Sequence, residues 1–412
     1  MNTSNKESFD IIIVGGGLVG LSMAALLAQS QEHSPAANRL RIALLDAGLP
    51  QESNYSRDAV ENFDPRVSAL TVTSQQLFAS LGLWEQDLAS FACPYTDMYV
   101  WDTGGIGDIS FSCREVRQAQ LGHIIENTRL DRALNHYLGR TGLEQYRGNK
   151  LRHLERQEEQ SLLLLDNGQT LSCRLLIAAD GGNSFIRQQA GFTTREWAYG
   201  HQAIVATVAT EKPHAQTAAQ CFLPSGPLAF LPLRDSQDTQ HYSSIVWSCT
   251  DALAQELLAM DEDQFRHDLQ QAFENRLGQI EAVGPRFSFP LWQRHARDYV
   301  QEGLALVGDA AHTIHPLAGQ GVNLGLADVH CLAGIISAAR AEGQDIASHQ
   351  VLSRYQRQRK GHNLGMMALM EGFKRGFGSD DLLLRWARNT GLALVDSALP
   401  LKRQLMQKAM GL

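Results

Sequence analysis

The sequence lacks most of the features that mark a secreted, metal-dependent or nucleic-acid-binding protein. Its six cysteines are scattered over 412 residues, with no CxxC pair and no metal-ligand spacing, which predicts free, buried thiols in a reducing compartment. Positive charge is in deficit: the formal net charge is −8 and the pI is about 6.0. This argues against nucleic acid as a main partner, because that role needs a basic surface.

Long hydrophobic runs are also missing. No stretch approaches the roughly 18 uninterrupted apolar residues of a membrane span, and residues 1–8 do not begin a signal peptide. We therefore expect a cytoplasmic protein, with peripheral contact at the inner face of the membrane left open. The hydrophobic fraction of 44% and charged fraction of 19% are typical of a globular chain with one large core or two fused cores.

What the chain does contain is an apolar strand that runs into a glycine-rich turn. Residues 9–14 lead into Gly15, Gly17 and Gly20, a G-x-G-x-x-G pattern that follows a strand and opens a helix. The first glycine permits the tight turn, the second lets the backbone approach a diphosphate, and the third lets the helix pack on the strand. The next strand ends in Asp46, which is placed to bind an adenosine ribose. The alternative is a glycine turn without a ligand.

Two later strands end in the same way, which extends the prediction from a dinucleotide to FAD. Residues 175–179 lead into Asp180, and residues 304–307 lead into Gly308 and Asp309. The acids are expected to orient backbone amides and ribityl hydroxyls. Arg187, which follows Asp180, either contacts phosphate or holds the turn.

The third strand end continues into a turn and a helix. Gly321 would let the backbone approach a flat ring, and a helix from Val322 and Asn323 would point its N-terminus at the flavin. His312 and His315 lie nearby, but no further ligand completes a metal set, so no metal is expected.

With these motifs in this order, the chain resembles the group A flavoprotein aromatic hydroxylases, and within them the ubiquinone-biosynthesis branch. The likeness to that branch is carried by residues 64–70, 121–127 and 308–323, and a closer likeness to its carbon-5 hydroxylases by residues 100–102, 275–278 and 407–412. The resemblance implies an FAD monooxygenase that uses NAD(P)H and O2 through a flavin C4a-hydroperoxide. The implied substrate is a polyprenylphenol, hydroxylated at ring carbon 5.

The resemblance also implies positions for further site residues. Arg66 would lie near the flavin and phosphates, Asn127 near the FAD backbone, and Pro316 against the ring beside the substrate. The alternatives are a surface salt bridge for Arg66 and a helix cap for Asn127. The chemistry would be centred on the flavin, with no side chain assigned as acid or base; His312 is a neighbour that more simply packs behind the flavin loop.

The implied fold is α/β: a Rossmann-like FAD-binding domain, as in para-hydroxybenzoate hydroxylase, with an inserted antiparallel substrate sheet and C-terminal helices. Three prolines in residues 222–233 predict a bent wall and not a regular central strand. Phe230, Leu231 and Leu233 in this segment would line a substrate channel or simply form the core of the sheet. The predicted boundaries are 1–75, 100–194 and 291–345 for the FAD domain, 76–99 and 195–290 for the substrate domain, and 346–412 for the helical segment.

Two other functions stay open from the sequence. One is a hydroxylase of a small soluble aromatic acid, which would need a carboxylate-binding arginine where only Arg234 is available. The other is a scaffold that retains FAD within a quinone-biosynthesis complex. A homo-oligomer is expected, and other ubiquinone-biosynthesis proteins are candidate partners. The amphipathic segment 382–395 either covers its own domain or contacts a membrane or partner.

Overall fold

The computed structural model describes residues 6–32, 39–50, 57–103, 107–313 and 320–377, with residues 402, 403, 406, 407 and 410 near the C-terminus. The helices are α1 (Leu18–Gln29), α2 (Val72–Ser80), α3 (Asn127–Gly139), α4 (Phe185–Gln189), α5 (Asp251–Ala259), α6 (Glu262–Ala272), α7 (Gln320–Ala341) and α8 (His349–Phe377). The strands are β1 (Lys6–Val14), β2 (Ile42–Asp46), β3 (Val67–Thr71), β4 (Cys93–Tyr95), β5 (Asp97–Asp102), β6 (Asp108–Ser112), β7 (Gly122–Glu126), β8 (Glu144–Arg147), β9 (Leu151–Arg156), β10 (Ser161–Leu165), β11 (Thr170–Ala178), β12 (Thr194–Thr210), β13 (Thr217–Leu223), β14 (Gly226–Pro232), β15 (Tyr242–Thr250), β16 (Ile280–Val283), β17 (Phe287–Ala296), β18 (Val300–Gln301), β19 (Leu304–Leu306) and β20 (His312–Thr313).

The first sheet gathers the three strand ends at one edge. Its order is β18-β19-β11-β1-β2-β8, and β19, β11, β1, β2 and β8 run parallel. The side chains of Ile11, Ile12 and Ile13 are fully buried, as expected for a strand covered on both faces. Because the carboxyl ends of neighbouring parallel strands meet, the turns after β1, β11 and β19 lie side by side.

The second sheet is mostly antiparallel and has two different faces. Its order is β20-β17-β12-β15-β14-β13-β5-β6. Ile204, Phe230 and Trp247 point to one face and pack against α5 and α6 through Leu257, Phe265 and Leu269. Strand alternation sends Ala229, Leu231 and Leu233 to the opposite face, where they contact Phe63 and Ile124. We call this opposite face the inner face.

The third sheet is small and lies opposite the inner face. It has the order β3-β7-β4, with both pairs antiparallel. Ile124 of β7 reaches the inner-face cluster, while Ile125 points to the core of the first sheet. This small sheet therefore forms the layer between the two larger sheets.

Some of the pairing differs from the sequence predictions. Strands β5 and β6 belong to the second sheet, although residues 100–112 were assigned to the FAD domain; α2, partly assigned to the substrate domain, packs in the core of the first sheet through Leu77 and Phe78. β14 is a regular strand between β13 and β15, because Pro227 and Pro232 stand near its ends. The other domain boundaries stay predictions.

The helices after the third motif close the core. α7 contains a 21-residue stretch long and apolar enough to cross a bilayer, yet Leu326, Val329 and Leu332 are buried against the rest of the chain. Near the C-terminus, Met406 and Met410 are buried with Cys113 and Leu121. The amphipathic segment at 382–395 lies outside the described residues.

Candidate cofactor site

The glycine turn after β1 has the geometry that close backbone approach requires. Gly15 has a φ of 113°, and a Cβ there would lie 2.2 Å from the carbonyl oxygen of Ala179. A Cβ on Gly20 would lie 1.9 Å from the carbonyl oxygen of Gly15, so this glycine lets α1 pack on β1. Gly17 differs: no atom lies within 4 Å of the position of its Cβ. The backbone at the start of α1 is therefore open on this side, as the approach of a diphosphate would need.

The acid at the end of β2 has a cationic partner that the sequence did not suggest. Asp46 Oδ2 lies 3.4 Å from Arg147 Nη1, and the two residues are opposite each other in the parallel pairing of β2 with β8. Desolvation by burial lowers the pKa of Arg147, while the charge of Asp46 raises it. The local pairing of strands, and not sequence proximity, brings these residues together.

The second motif is tied directly to the third by Arg187. Its guanidinium is buried, and it donates from Nη1 to Ala310 O at 2.8 Å and from Nη2 to Gly182 O at 2.7 Å. Arg187 was expected either to contact phosphate or to hold the turn, and these two bonds support the second role. Asp180 accepts the amide of Ile186 with Oδ2 at 3.1 Å, while Oδ1 is buried and makes no hydrogen bond to the described residues. Burial raises the pKa of Asp180.

The third motif contains one solvent-exposed acid, Asp309. Gly308 has a φ of 57°, and a Cβ there would contact Val19 at 3.1 Å. Asp309 is exposed to solvent, yet desolvation by the surrounding protein raises the pKa of its carboxyl, against the opposing charge of His312.

A buried polar network lies behind this motif and includes His312. Asp328 Oδ2 accepts from the amide of Gly308 at 3.2 Å and lies 2.5 Å from His312 Nε2. Its Oδ1 accepts from Arg359 Nε at 2.8 Å and Asn363 Nδ2 at 3.2 Å. Burial alone would raise the pKa of Asp328, but His312 and Arg359 lower it. His312 is therefore committed to a structural bond, and the described residues include no metal-binding cluster.

The start of α7 is open at its backbone but not at its first polar side chain. A Cβ on Gly321 would meet no atom within 4 Å, and Val322 is only partly buried. Asn323 accepts from the Thr71 amide at 3.0 Å and donates to Ala69 O at 2.7 Å. The side chain of Asn323 thus ties α7 to β3, so any bond from Asn323 to a cofactor falls to its backbone.

The segment before β3 and the start of α3 form one connected unit. Asp64 accepts from the amides of Arg66 at 2.9 Å and Thr128 at 3.0 Å, so Asp64 caps α3. Asn127 Oδ1 accepts from Ser68 at 2.6 Å. Arg66 is exposed and makes no ion pair with another described residue, unlike the surface salt bridge considered above.

One further acid beside this unit belongs to no sequence motif. Asp131, on α3, has a buried Oδ1 that makes no hydrogen bond to the described residues. Desolvation raises its pKa to about 6, against the favourable charges of Arg66 and Arg147. The negative charges of Asp64 and Asp46 raise the pKa of Asp131 further. A polar residue one turn into a helix carries no motif, so only the fold reveals it.

The substrate residues divide between the two faces of the second sheet. Leu231 and Leu233 lie on the inner face. Phe230 lies on the helix-covered face and stacks on Phe273 with 3.8 Å between ring centroids, so its assignment to the substrate site is corrected. Pro316 lies outside the described residues.

These features fit FAD at the edge of the first sheet. Open space at Gly17 and Gly321 and the unbonded carboxylate oxygens of Asp131 and Asp180 are what a dinucleotide with many hydroxyls and amide-bound phosphates would use. The individual contacts of the proposed site residues stay predictions.

The comparisons with known proteins point in the same direction. Residues 54–369 match a family model described as an FAD binding domain. The chain is 37% identical to the 3-demethoxyubiquinol 3-hydroxylase of Escherichia coli over 408 residues, covering 99% of this chain and 100% of the relative. It is 35% identical to the mitochondrial ubiquinone biosynthesis monooxygenase COQ6 of Danio rerio, covering 98% of this chain and 90% of that protein.

Solved structures share the fold at low identity. The p-nitrophenol 4-monooxygenase PnpA of Pseudomonas putida superposes with a TM-score of 0.76 at 18% identity, over 98% of both chains. PqsL of Pseudomonas aeruginosa superposes with a TM-score of 0.74 at 19% identity, over 94% of this chain and 99% of that one. The likeness confirms the predicted α/β fold.

Gly17→Val should give a folded protein without bound flavin. The backbone at Gly17, with a φ of −78°, accepts a side chain and nothing stands in its way, but the side chain would fill the space in front of the α1 amides. Flavin absorbance of the purified protein and its circular dichroism measure the two properties. Gly20→Val is the contrast, because its Cβ clashes with Gly15 and should destabilise the fold itself. A Gly17→Val protein with wild-type flavin content would contradict the assignment.

Asp131→Asn should stabilise the apoprotein in a pH-dependent way. The folded pKa of about 6 exceeds the ordinary 3.8, so ionisation of Asp131 weakens the fold progressively as the pH rises between these values. Asparagine removes this cost, by on the order of 2 kcal/mol at about pH 7.5 and less than half of that at about pH 4.5. Urea unfolding at both pH values measures it. An equal effect at the two pH values would contradict the raised pKa.

Proposed function

The chain belongs to the family of FAD-dependent ubiquinone-biosynthesis monooxygenases, and we propose that it hydroxylates the aromatic ring of a polyprenylphenol at ring carbon 5, as a 2-polyprenylphenol 6-hydroxylase. The family confirms FAD as the bound cofactor and aromatic-ring monooxygenation as the reaction class. NAD(P)H and O2 are the typical co-substrates of such enzymes. The substrate and the ring position are the proposed part.

The chain's own residues would bind, orient and exclude water. FAD, when bound, would supply the oxygen activation, with its electrons coming from NAD(P)H. The amides of the α1 N-terminus would bind phosphate, and those of the α7 N-terminus would face the electron-rich edge of the flavin. Arg187 and Asp328 hold the turns that carry Asp180 and Asp309. A dry, apolar neighbourhood protects reactive oxygen chemistry from water.

The relatives named for ubiquinone biosynthesis support the substrate proposal, and the apolar inner face of the second sheet agrees with it. Ala218, Ala229, Leu231 and Leu233 are buried there against Phe63 and Ile124 of the facing layer. These side chains are packed against one another, and a polyprenyl group bound beside them would gain about 0.8 kcal/mol for each methylene that it buries. These apolar residues offer no charge that would bind a soluble acid.

Arg234 is poorly placed to serve such an acid. Its guanidinium lies 3.4 Å from Asp238, with both side chains largely at the surface, and its carbonyl oxygen accepts from Arg57 at 2.9 Å. A carboxylate on a small aromatic substrate would have to compete with Asp238. This favours the lipophilic phenol.

The ring position is proposed from sequence likeness. Val100–Asp102 and Asn275–Gly278 carry the likeness to the carbon-5 enzymes, and Arg276 lies 4.7 Å over the ring of Trp101. Trp101 packs on the helix-covered face of the sheet. These residues therefore support the sequence relationship and not a contact with the substrate. The E. coli relative is named for a different position, so a direct measurement has to decide.

The setting of the enzyme is also part of the proposal. We place it in the cytoplasm with peripheral contact at the inner membrane face, as a homo-oligomer that meets other ubiquinone-biosynthesis proteins. A substrate with a polyprenyl tail partitions into membranes, which supports contact with the bilayer surface.

Quinone profiling of a deletion strain tests the proposed reaction. We expect a polyprenylphenol unmodified at carbon 5 to accumulate and ubiquinone to be lost. Complementation with the wild-type gene should restore ubiquinone, whereas Gly17→Val should not. An accumulated intermediate already hydroxylated at carbon 5 would refute the position, and an unchanged profile would refute the function. Restoration by a flavin-free variant would favour a scaffold.

Removal of the chain after residue 378 should reduce folded, soluble protein. Met406 and Met410 cover Cys113 and Leu121, and Lys402 Nζ lies 3.0 Å from Glu115, so the truncation exposes apolar surface. Thermal unfolding, soluble yield and sedimentation with liposomes measure the effect. Met410→Ala is a milder control, expected to cost about 2 kcal/mol or more. A truncated protein that stays stable but no longer sediments with liposomes would identify the segment as an anchor instead.

A further inference from the structure

Arg147 is held rigidly at the end of β8. Its Nη2 donates to Asn135 Oδ1 at 2.6 Å and its Nε donates to Gln145 Oε1 at 3.1 Å. The side chain is 11% exposed, and Asp46 beside it is 25% exposed. A guanidinium fixed at two of its nitrogens presents its third to Asp46 in a single geometry.

The pair formed by Arg147 and Asp46 lies directly on the glycine turn. A Cβ built on Gly16 would lie 2.2 Å from Arg147 Nη1 and 2.5 Å from Asp46 Oδ2. A side chain at position 16 would therefore have to displace the end of Arg147 or of Asp46. The guanidinium consequently stands beside the amides at the start of α1.

Several carboxylates lie around the glycine turn, where the diphosphate would bind. The charges of Asp46 and Asp64 both act on the carboxyl of Asp131, and the charges of Arg66 and Arg147 act on it in the opposite direction. The diphosphate of FAD would bring further negative charge to the same turn. Neighbouring negative charges repel each other, and a cation between them reduces that repulsion.

We propose that Arg147 is the positioning residue of the adenosine half of the FAD site: it fixes the carboxylate of Asp46 toward the ribose and offsets the repulsion between that carboxylate and the diphosphate. Arg147 acts mainly through Asp46, so the two residues form one energetic unit. The inference concerns cofactor binding and does not depend on the ring position or the substrate.

Binding of FAD and of ADP to the full-length apoprotein tests the inference. ADP carries the adenosine and diphosphate but not the flavin, so it reports on this half alone. Arg147→Gln should weaken both ligands by a similar factor, at least about tenfold, as for loss of a charge-assisted contact. Arg147→Lys, which keeps the charge but not the fork, should fall between. Flavin fluorescence quenching and calorimetry give the two affinities.

A matched control and a double variant separate positioning from general destabilisation. Arg41, at the other end of the same strand pair, lies 2.9 Å from Glu144, and Arg41→Gln should leave both affinities unchanged. Because Arg147 acts through Asp46, the variant that combines Arg147→Gln with Asp46→Asn should bind no more weakly than the worse single variant.

Three outcomes would overturn the inference. The first is an FAD affinity of Arg147→Gln within about twofold of wild type. The second is a loss for FAD with unchanged ADP binding, which would place the effect at the flavin. The third is full additivity with Asp46→Asn, which would make the two residues independent. If Arg147→Gln does not fold, Arg147→Lys carries the same three comparisons.

Discussion

The parallel pairing of β1 with its neighbours is the constraint on which the remaining structure depends. β11 and β19 come from distant parts of the chain, yet the register of β11 with β1 and of β19 with β11 brings Gly15, Asp180 and Gly308 to one edge. The buried guanidinium of Arg187 then bonds the second turn to the third. The cofactor site is therefore a property of strand register, and each motif alone is only a turn.

The parts of the site that lie within single motifs could be predicted from the sequence. Glycines that need a special φ or a close contact, and acids that end a buried strand, leave local signals, and the fold and FAD followed from them. Arg147, Asp131 and Asp328 left none, because each acts on a motif from a different strand or helix. Their positions depend on pairings that a linear pattern does not specify.

The error at Phe230 has a similar origin. Residues 228–233 are apolar almost without interruption, so the two-residue period that separates the faces of a strand is not visible there. Both faces of β14 are in fact buried, one by α5 and α6 and the other by the small third sheet. In the same way, the prolines of this segment stand near strand ends, where a missing N–H is tolerated.

The contact of α7 with α1 has a consequence for how the protein is made. A Cβ on Gly325 would lie 2.6 Å from Val19, so the late helix packs on the start of the first helix with no room between them. During synthesis, β1 and α1 emerge from the ribosome long before β19 and α7 exist. β2 and α3 can cover part of this N-terminal segment early, but the surface that α7 covers stays exposed until most of the chain has emerged. The flavin site is therefore completed only late in synthesis, after β19 and α7 have emerged.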